Sequence, residues 1–486
     1  MGQNFPGPGY MEVGAVRTKC ASPSESRQGR PVCSAESTRE FPPKSSIRSG
    51  PSNGERIFVT EHQRAKTHPK GTTMIPSTML RFVLSFCFLC CANFGVSAEK
   101  QDLRKLTDPE KRLVQSCNDF AFRLLTKVNQ AETGKNVFVS PLSVSMALDM
   151  ALSGADGLTE TAMMATLGYA GTTRQEINET SHELMKLLRN LDPRVQVSIA
   201  NSIWYRRGLT VEPEFIETNQ RYYEASVRDL AFVSSEAPRI INTWVDTCTH
   251  GKIRRIVPDQ IPADAVMYLI NAIYFKGTWK YQFDKRMTLD DSFHLIDGSV
   301  RPVRFMRRIV FLPYYENAWY QAISLPYGDS LFTMTVVLPK PAESVESFVD
   351  GLTQNSWNSL VADLRTAAGT ILLPKFKLEY EAGLNDPLKA MGMGAAFDNS
   401  ANFGRINGKG GFKISEVRHK TFVLVDEEGT EAAAVTSVKT GYSSASGPPR
   451  EFVMRVDRPF FLAITERHTG AILFVGKVVD PPRDSE

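Results

Sequence analysis

Residues 425–450 read VDEEGTEAAAVTSVKTGYSSASGPPR, and the fold turns on what this stretch is. It follows a β-like run, Thr421 to Val425, and precedes another, Phe452 to Val456, that leads into the apolar Phe460 to Ile464. A connection that long inside a compact domain is uncommon and usually functional. Its first half alternates. Thr430, Ala432, Ala434, Thr436 and Val438 fall on one face of an extended chain, and all are small and uncharged. Glu431, Ala433, Val435, Ser437 and Lys439 fall on the other, which carries both charges. A period of two marks a half-buried strand. Composition alone favours a flexible Ala/Ser linker. The alternation adds a second possibility, a strand able to enter a sheet.

Composition narrows the class. The chain has 486 residues, 42% hydrophobic and 23% charged, as in ordinary globular proteins. Its formal charge of +4 is unevenly placed. Residues 1–78 carry 11 basic and 6 acidic side chains, whereas residues 99–486 carry 45 and 47. The near-neutral body argues against a nucleic-acid partner. Residues 1–78 are rich in Pro, Gly, Ser, Arg and Lys and read as a disordered leader or a gene-model extension. Residues 79–98, MLRFVLSFCFLCCANFGVSA, have one Arg, an apolar centre and a small-residue exit. That is the layout of a signal peptide, too short for a spanning helix. The expected domain is residues 99–486, in a secreted, extracellular protein (periplasmic in a bacterium). Five of seven cysteines precede it, and Cys117 and Cys248 read as unpaired thiols.

Along the body, strands and helices alternate without βαβ regularity, which predicts an α+β class. Leu113, Cys117, Phe120, Leu124 and Val128 predict a helix over 110–130. NVFVSPLSVSMALDM predicts a short strand, a break and a helix capped by Ser140 with Pro141 in its first turn. ETSHELMKLLRNLD predicts a polar-faced helix in which Lys186 and Arg189 are interleaved with Glu183 and Asp192, so no heparin site is expected. Asn178-Glu179-Thr180 is a glycosylation sequon. INTWVDTCTHGKIRRIVP predicts a helix ended by Gly251. LINAIYFKGTWKYQF and LPKFKLEY read as strands. Gly408-Lys409-Gly410-Gly411 lacks the context of a phosphate loop and reads as a turn. No nucleophile elbow or metal-spaced histidine set is present, so neither enzyme activity, a cofactor nor a metal is expected.

Several of these segments carry a family likeness. HKTFVLVDEEGTEAAA resembles the strand-to-hinge signature of the serpins, the serine protease inhibitor superfamily, and DRPFFLAITERHTGAILFVGKVVDP resembles their C-terminal strands. SPLS and LINAIYFKGTWKYQF are further matches, and the resemblance runs from about Cys117 to Pro481. It implies the serpin fold: central mixed β-sheets surrounded by helices, with an exposed reactive-centre loop at about 427–450. It also implies a suicide substrate for serine proteases. The protease forms an acyl-enzyme on the loop, and the cut loop inserts into the central sheet before the ester is hydrolysed.

The resemblance assigns residues to roles. The hinge is Glu427, Glu428, Gly429, Thr430, Glu431, Ala432, Ala433 and Ala434. A "breach" where insertion begins joins Glu427 to Lys375 beside Trp279, and a "shutter" beneath the sheet joins Ser140, Ser143, Asn242 and His419. Counting from Gly429 places the cut at Ser443–Ser444, with Tyr442–Ser443 its rival, and counting back from Pro459 places it nearer Gly447 or Pro448. Ser or Tyr there implies elastase-, subtilisin- or chymotrypsin-like targets, met by a monomer. The alternative is a non-inhibitory binding or carrier protein of the same fold. Small, uncharged inward hinge residues favour the inhibitor.

Overall fold

The computed structural model describes residues 103–411, 413–430 and 451–482. The predicted α+β class is what it shows. One sheet has six strands in the order Phe376–Gly383, Arg418–Val425, Gly429–Thr430, Met267–Thr278, Val195–Arg206 and Ser226–Leu230. The other has nine. Its main path runs Val137–Val139, Ile472–Val478, Phe460–Glu466, Phe332–Pro339, Tyr320–Pro326, Val300–Glu316, Arg365–Pro374 and Phe452–Arg455, and Leu289–His294 pairs on Val300–Glu316. The helix Pro141–Leu152 contacts strands of both sheets, and nearly all of its residues are buried.

The elements follow the sequence pattern with shifted ends. The first helix spans Asp108–Ala131, starting at a capping box between Thr107 and Glu110. The helix predicted at 241–258 is Glu236–Cys248, and Gly251 lies beyond it with φ +80°. LPKFKLEY is not one strand. Pro374 ends a strand of the nine-stranded sheet, and Phe376 begins one of the six-stranded sheet. Lys375 stands at that crossing, its amide donating to Arg304 O at 2.8 Å. Gly408 caps a short helix, Gly404–Asn407, in the left-handed region, as a turn requires.

The six-stranded sheet has a seam. Strands Arg418–Val425 and Met267–Thr278 run parallel, yet among the described residues no ladder pair joins them directly. The two-residue strand Gly429–Thr430 lies between their ends, pairing Thr430 with Val425 on one side and with Gly277 on the other. On Met267–Thr278 the side chains alternate: Ile273 and Phe275 join the main core, whereas Ile270 and Ala272 face a second one. That second core is roofed by the helix Glu236–Cys248, whose Ile241 and Val245 pack with Trp204, Val257 and Ala272.

Cys117 and Cys248 are both free thiols. Asn178 of the sequon is buried in the helix Arg174–Asn190 and accepts from the Tyr223 hydroxyl at 2.7 Å. In this fold it is a core residue and offers no exposed amide for glycosylation. Asp192 is also buried, away from any solvated face. Its carboxylate accepts from the amides of Arg194 and Asp329. Arg189 pairs with Glu224 at 2.6 Å.

Candidate functional site

The upper end of the seam is built around Gly429 and Thr430. Both strands present their last residues there, so a chain leaving Val425 can turn back between them. Asp426 makes the turn. Its Oδ1 accepts from the amides of Glu428 (2.9 Å) and Gly429 (3.1 Å), and its own amide donates to Gly429 O at 3.0 Å. A Cβ on Gly429 would collide with the Gly277 carbonyl oxygen, so this close strand approach requires glycine. Thr430 is 2% exposed, and its Oγ1 lies 2.6 Å from the Tyr327 hydroxyl. Tyr327 stacks on Trp279 with ring centres 4.3 Å apart. A Cβ on Gly277 would come within 2.8 Å of the Tyr327 ring, so this glycine leaves room for the aromatic floor.

Backbone bonds fasten the turn to Trp279. Its amide donates to Glu428 O (2.9 Å), and its indole Nε1 donates to Asp426 O (2.9 Å). The Phe283 amide donates to Glu427 O at 2.9 Å. The Glu427 carboxylate is buried, takes Lys375 Nζ at 2.9 Å on one oxygen and accepts from the Thr288 hydroxyl at 2.7 Å on the other. Burial pushes this carboxyl up, but Lys375 and Thr288 outweigh it and hold it below its ordinary value. Glu428 points outward to Lys285, 2.5 Å away. Glu427, Lys375 and Trp279, expected together from the resemblance, are therefore in one cluster.

A second polar cluster lies lower, beneath the seam. Ser140 caps the helix Pro141–Leu152, accepting from the Ser143 amide (3.3 Å) and donating its hydroxyl to Leu473 O (2.6 Å). Its amide donates to Nε2 of His419 at 2.9 Å. His419 is fully enclosed, and burial lowers its pKa to about 4, so the ring is neutral and accepts. The Ser143 hydroxyl donates to Oδ1 of Asn271, whose amide donates to Asn201 Oδ1 at 2.6 Å.

Asn242 is not part of this cluster. It lies on the helix across the opposite face of the sheet, accepts from the amides of Ile256 (2.8 Å) and Val257 (3.0 Å), and donates to Val257 O. The asparagine that meets Ser143 is Asn271, because only the strand residue faces inward toward the helix Pro141–Leu152. Asn271, Tyr327, Thr288, Asp426 and Lys285 are the site residues that sequence reasoning missed. For Asn271 a signal existed: in LINAIYF it is the lone polar side chain on the buried face, and such a group needs a partner. Glu431, Ala432, Ala433, Ala434, Tyr442, Ser443 and Ser444 lie outside the described residues, as do the leader and the signal-like segment.

Residues 115–481 match the sequence profile of the family described as Serpin (serine protease inhibitor). An uncharacterised serpin-like protein of Methanosarcina mazei is 34% identical over 75% of this chain and 86% of its own length. Iripin-2 of Ixodes ricinus is 33% identical over 76% and 94%, and intracellular coagulation inhibitor 2 of Tachypleus tridentatus 30% over 76% and 91%. Among solved structures, the thermophilic serpin tengpin in its native state superposes with a TM-score of 0.70 at 32% identity, covering 78% of this chain and 96% of that one. Human thyroxine-binding globulin gives 0.71 at 28% identity, covering 77% and 100%. The chain belongs to the serpin family.

Proposed function

We propose that this protein is a secreted inhibitor that traps serine proteases covalently. The observation that carries the reading is the seat of Thr430. The first hinge residues already form a strand in the seam, and the two flanking strands share no ladder below it among the described residues. Continuing both registers gives a specific fit. Ala432 would meet Phe275 and Val423, Ala434 would meet Ile273 and Thr421, and Thr436 would meet Asn271 and His419. All three are small or hydroxylated, as a slot over a packed core demands. Glu431 would fall opposite Lys276 on the outer face, a complementary cross-strand pair.

The reaction then belongs to the protease. Its serine attacks the carbonyl of Ser443, or of the rival Tyr442, and the amine of the next residue leaves, so an ester links the two chains. The freed segment adds as a strand, gaining backbone hydrogen bonds on both sides. Trapping succeeds when insertion outruns hydrolysis of the ester. Lys375 and Glu427 hold the entry in register, and the cluster at Ser140, His419, Ser143 and Asn271 marks where the seam must part.

A relative named as an inhibitor, intracellular coagulation inhibitor 2, favours this reading. Thyroxine-binding globulin has the same fold and is a binding protein by name, so fold alone does not decide. The test mixes residues 99–486 with elastase-, chymotrypsin-, subtilisin- and trypsin-like enzymes, followed by denaturing gels and mass spectrometry. A band at the summed mass, with a released peptide beginning at Ser444, is expected. Cleavage without such a band for every enzyme, and no gain in thermal stability after cleavage, would establish the carrier reading instead.

A further inference from the structure

Beside the loop's far end the nine-stranded sheet exposes an apolar row. Ile309 is 76% exposed and Val453 64% exposed. They stand in one cross-strand register through Thr370, Ile309 pairing with Thr370 and Thr370 with Val453. The next outward positions are Phe311 and Ala368, also paired with each other. Packing explains the inward side of these strands: Val310 and Leu312 are buried, as are Ile371 and Met454. The outward Ile309 and Val453 make no such contribution; they flank Thr370 in one line across three neighbouring strands, and exposed apolar groups aligned in this way mark interaction surfaces more often than scattered ones do. The rim is basic. Arg307, two residues from Ile309 on the same strand face, is exposed, whereas Arg455 is engaged by Asp291 and Asp457.

We propose that this row, Ile309–Thr370–Val453 with Arg307 at its edge, is a second docking surface for the protease that attacks the loop. The proposal rests on the inhibitory reading for its partner. Geometry supplies the reason. The strand carrying Val453 is the edge strand that the loop runs into. From Ser444 to Val453 the chain spans at most about 30 Å, and a protease of ordinary domain size is about 40 Å across. A protease seated on the cut bond therefore overhangs this part of the sheet. The surface it presents there is expected to be apolar with an acidic flank, facing Ile309, Val453 and Arg307.

The test uses the double variant Ile309→Thr/Val453→Thr, which keeps β-branched residues on the strands, and Arg307→Glu alone. Two quantities are measured against an elastase-, chymotrypsin- and subtilisin-like panel. One is the association rate with active enzyme. The other is the Kd for the same enzyme with its nucleophilic serine replaced by alanine. For the enzyme bound fastest by wild type, the double variant is expected to lose tenfold or more in both, with the fraction trapped per loop cut and the melting temperature unchanged. Rates and Kd within twofold of wild type for every enzyme would overturn the proposal, and so would failure of wild type to bind any inert enzyme. If trapping fails but the inert complex forms and the double variant loses it, the surface stands and the inhibitory reading falls. A wild type that light scattering shows to be a dimer, with a monomeric double variant, would assign the row to a second copy and overturn the protease assignment.

Discussion

Replacing Thr430 by arginine tests the seat directly. Thr430 is 2% exposed, sits between Val425 and Gly277, and meets the hydroxyl of Tyr327, whose ring stacks on Trp279. The nearby carboxylate of Glu427 is already held by Lys375 and Thr288. A guanidinium at 430 would be a buried charge without a partner, which costs on the order of 3–5 kcal/mol. That cost expels residue 430 from the seat in the uncut variant, and insertion must then carry the charge back in; each 1.36 kcal/mol is about tenfold in rate, so insertion should slow by about two to four orders of magnitude. Ester hydrolysis by the protease is untouched. The partition therefore swings from trapping to turnover. The assay titrates a fixed amount of protease and counts inhibitor molecules consumed per enzyme inactivated, expected to rise from near one to tens or more while loop cleavage continues. Thr430→Val serves as the control. It leaves the Tyr327 hydroxyl without its partner at a cost of about 1–3 kcal/mol, but carries no charge and should still trap. Unchanged consumption for Thr430→Arg would refute the claim that residue 430 must pass through this seat.

Glu427→Gln leaves Lys375, 15% exposed, facing a neutral amide, and should cost about 2 kcal/mol at pH 7. Because the Glu427 pKa is lowered on folding, that contribution is full above the ordinary carboxylate range and lost as pH falls through its folded value. The wild-type advantage in chemical denaturation should therefore shrink in acid. His419 has its pKa lowered from 6.5 to about 4 by burial, so the unfolded chain takes up the proton first. Stability from this group is present above pH 6.5 and falls by about 3 kcal/mol on the way to pH 4, and His419→Gln should flatten that part of the denaturation profile. Asp149 behaves oppositely. Burial raises its carboxyl from 3.8 to about 7 despite Tyr169 and Ser181, so stability declines as pH rises through that window. Asp149→Asn should gain up to about 4 kcal/mol at pH 8, read as a higher midpoint in urea.

The sequence is most legible where local pattern and tertiary need coincide. The hinge alternation from Thr430 onward and the Ser140 cap depend only on neighbours in the chain; Ser140 caps its helix and Thr430 is buried, while the rest of the alternation lies outside the described residues. Lys375 shows the opposite. Its neighbours Pro374 and Phe376 look like one strand, and only the crossing between two sheets turns the lysine toward Glu427. Asn242 and Asn271 are both asparagines in apolar runs. A helix residue and a strand residue cannot be ranked for contact with Ser143 until it is known which face of the sheet each occupies. Asp192 and Asn178 look solvated because polar residues surround them. Their burial comes from segments far away in sequence, the turn at Gly328–Asp329 and the helix carrying Tyr223.

On the proposed inhibitory mechanism, the helix Glu236–Cys248 would give insertion a direction. It covers the sheet at Ala272 with Ile241 and Val245, and a strand added in the register of Gly429 and Thr430 would bring Val435 beside Ala272. The helix would have to rise for that strand to pass. Afterwards it would close over one more isopropyl group than before, worth about 1–2 kcal/mol of burial. It would thus work as a pawl on a ratchet, yielding once to the advancing chain and then resisting withdrawal. On that mechanism a molecule that has fired would not reset, and each copy would count one encounter.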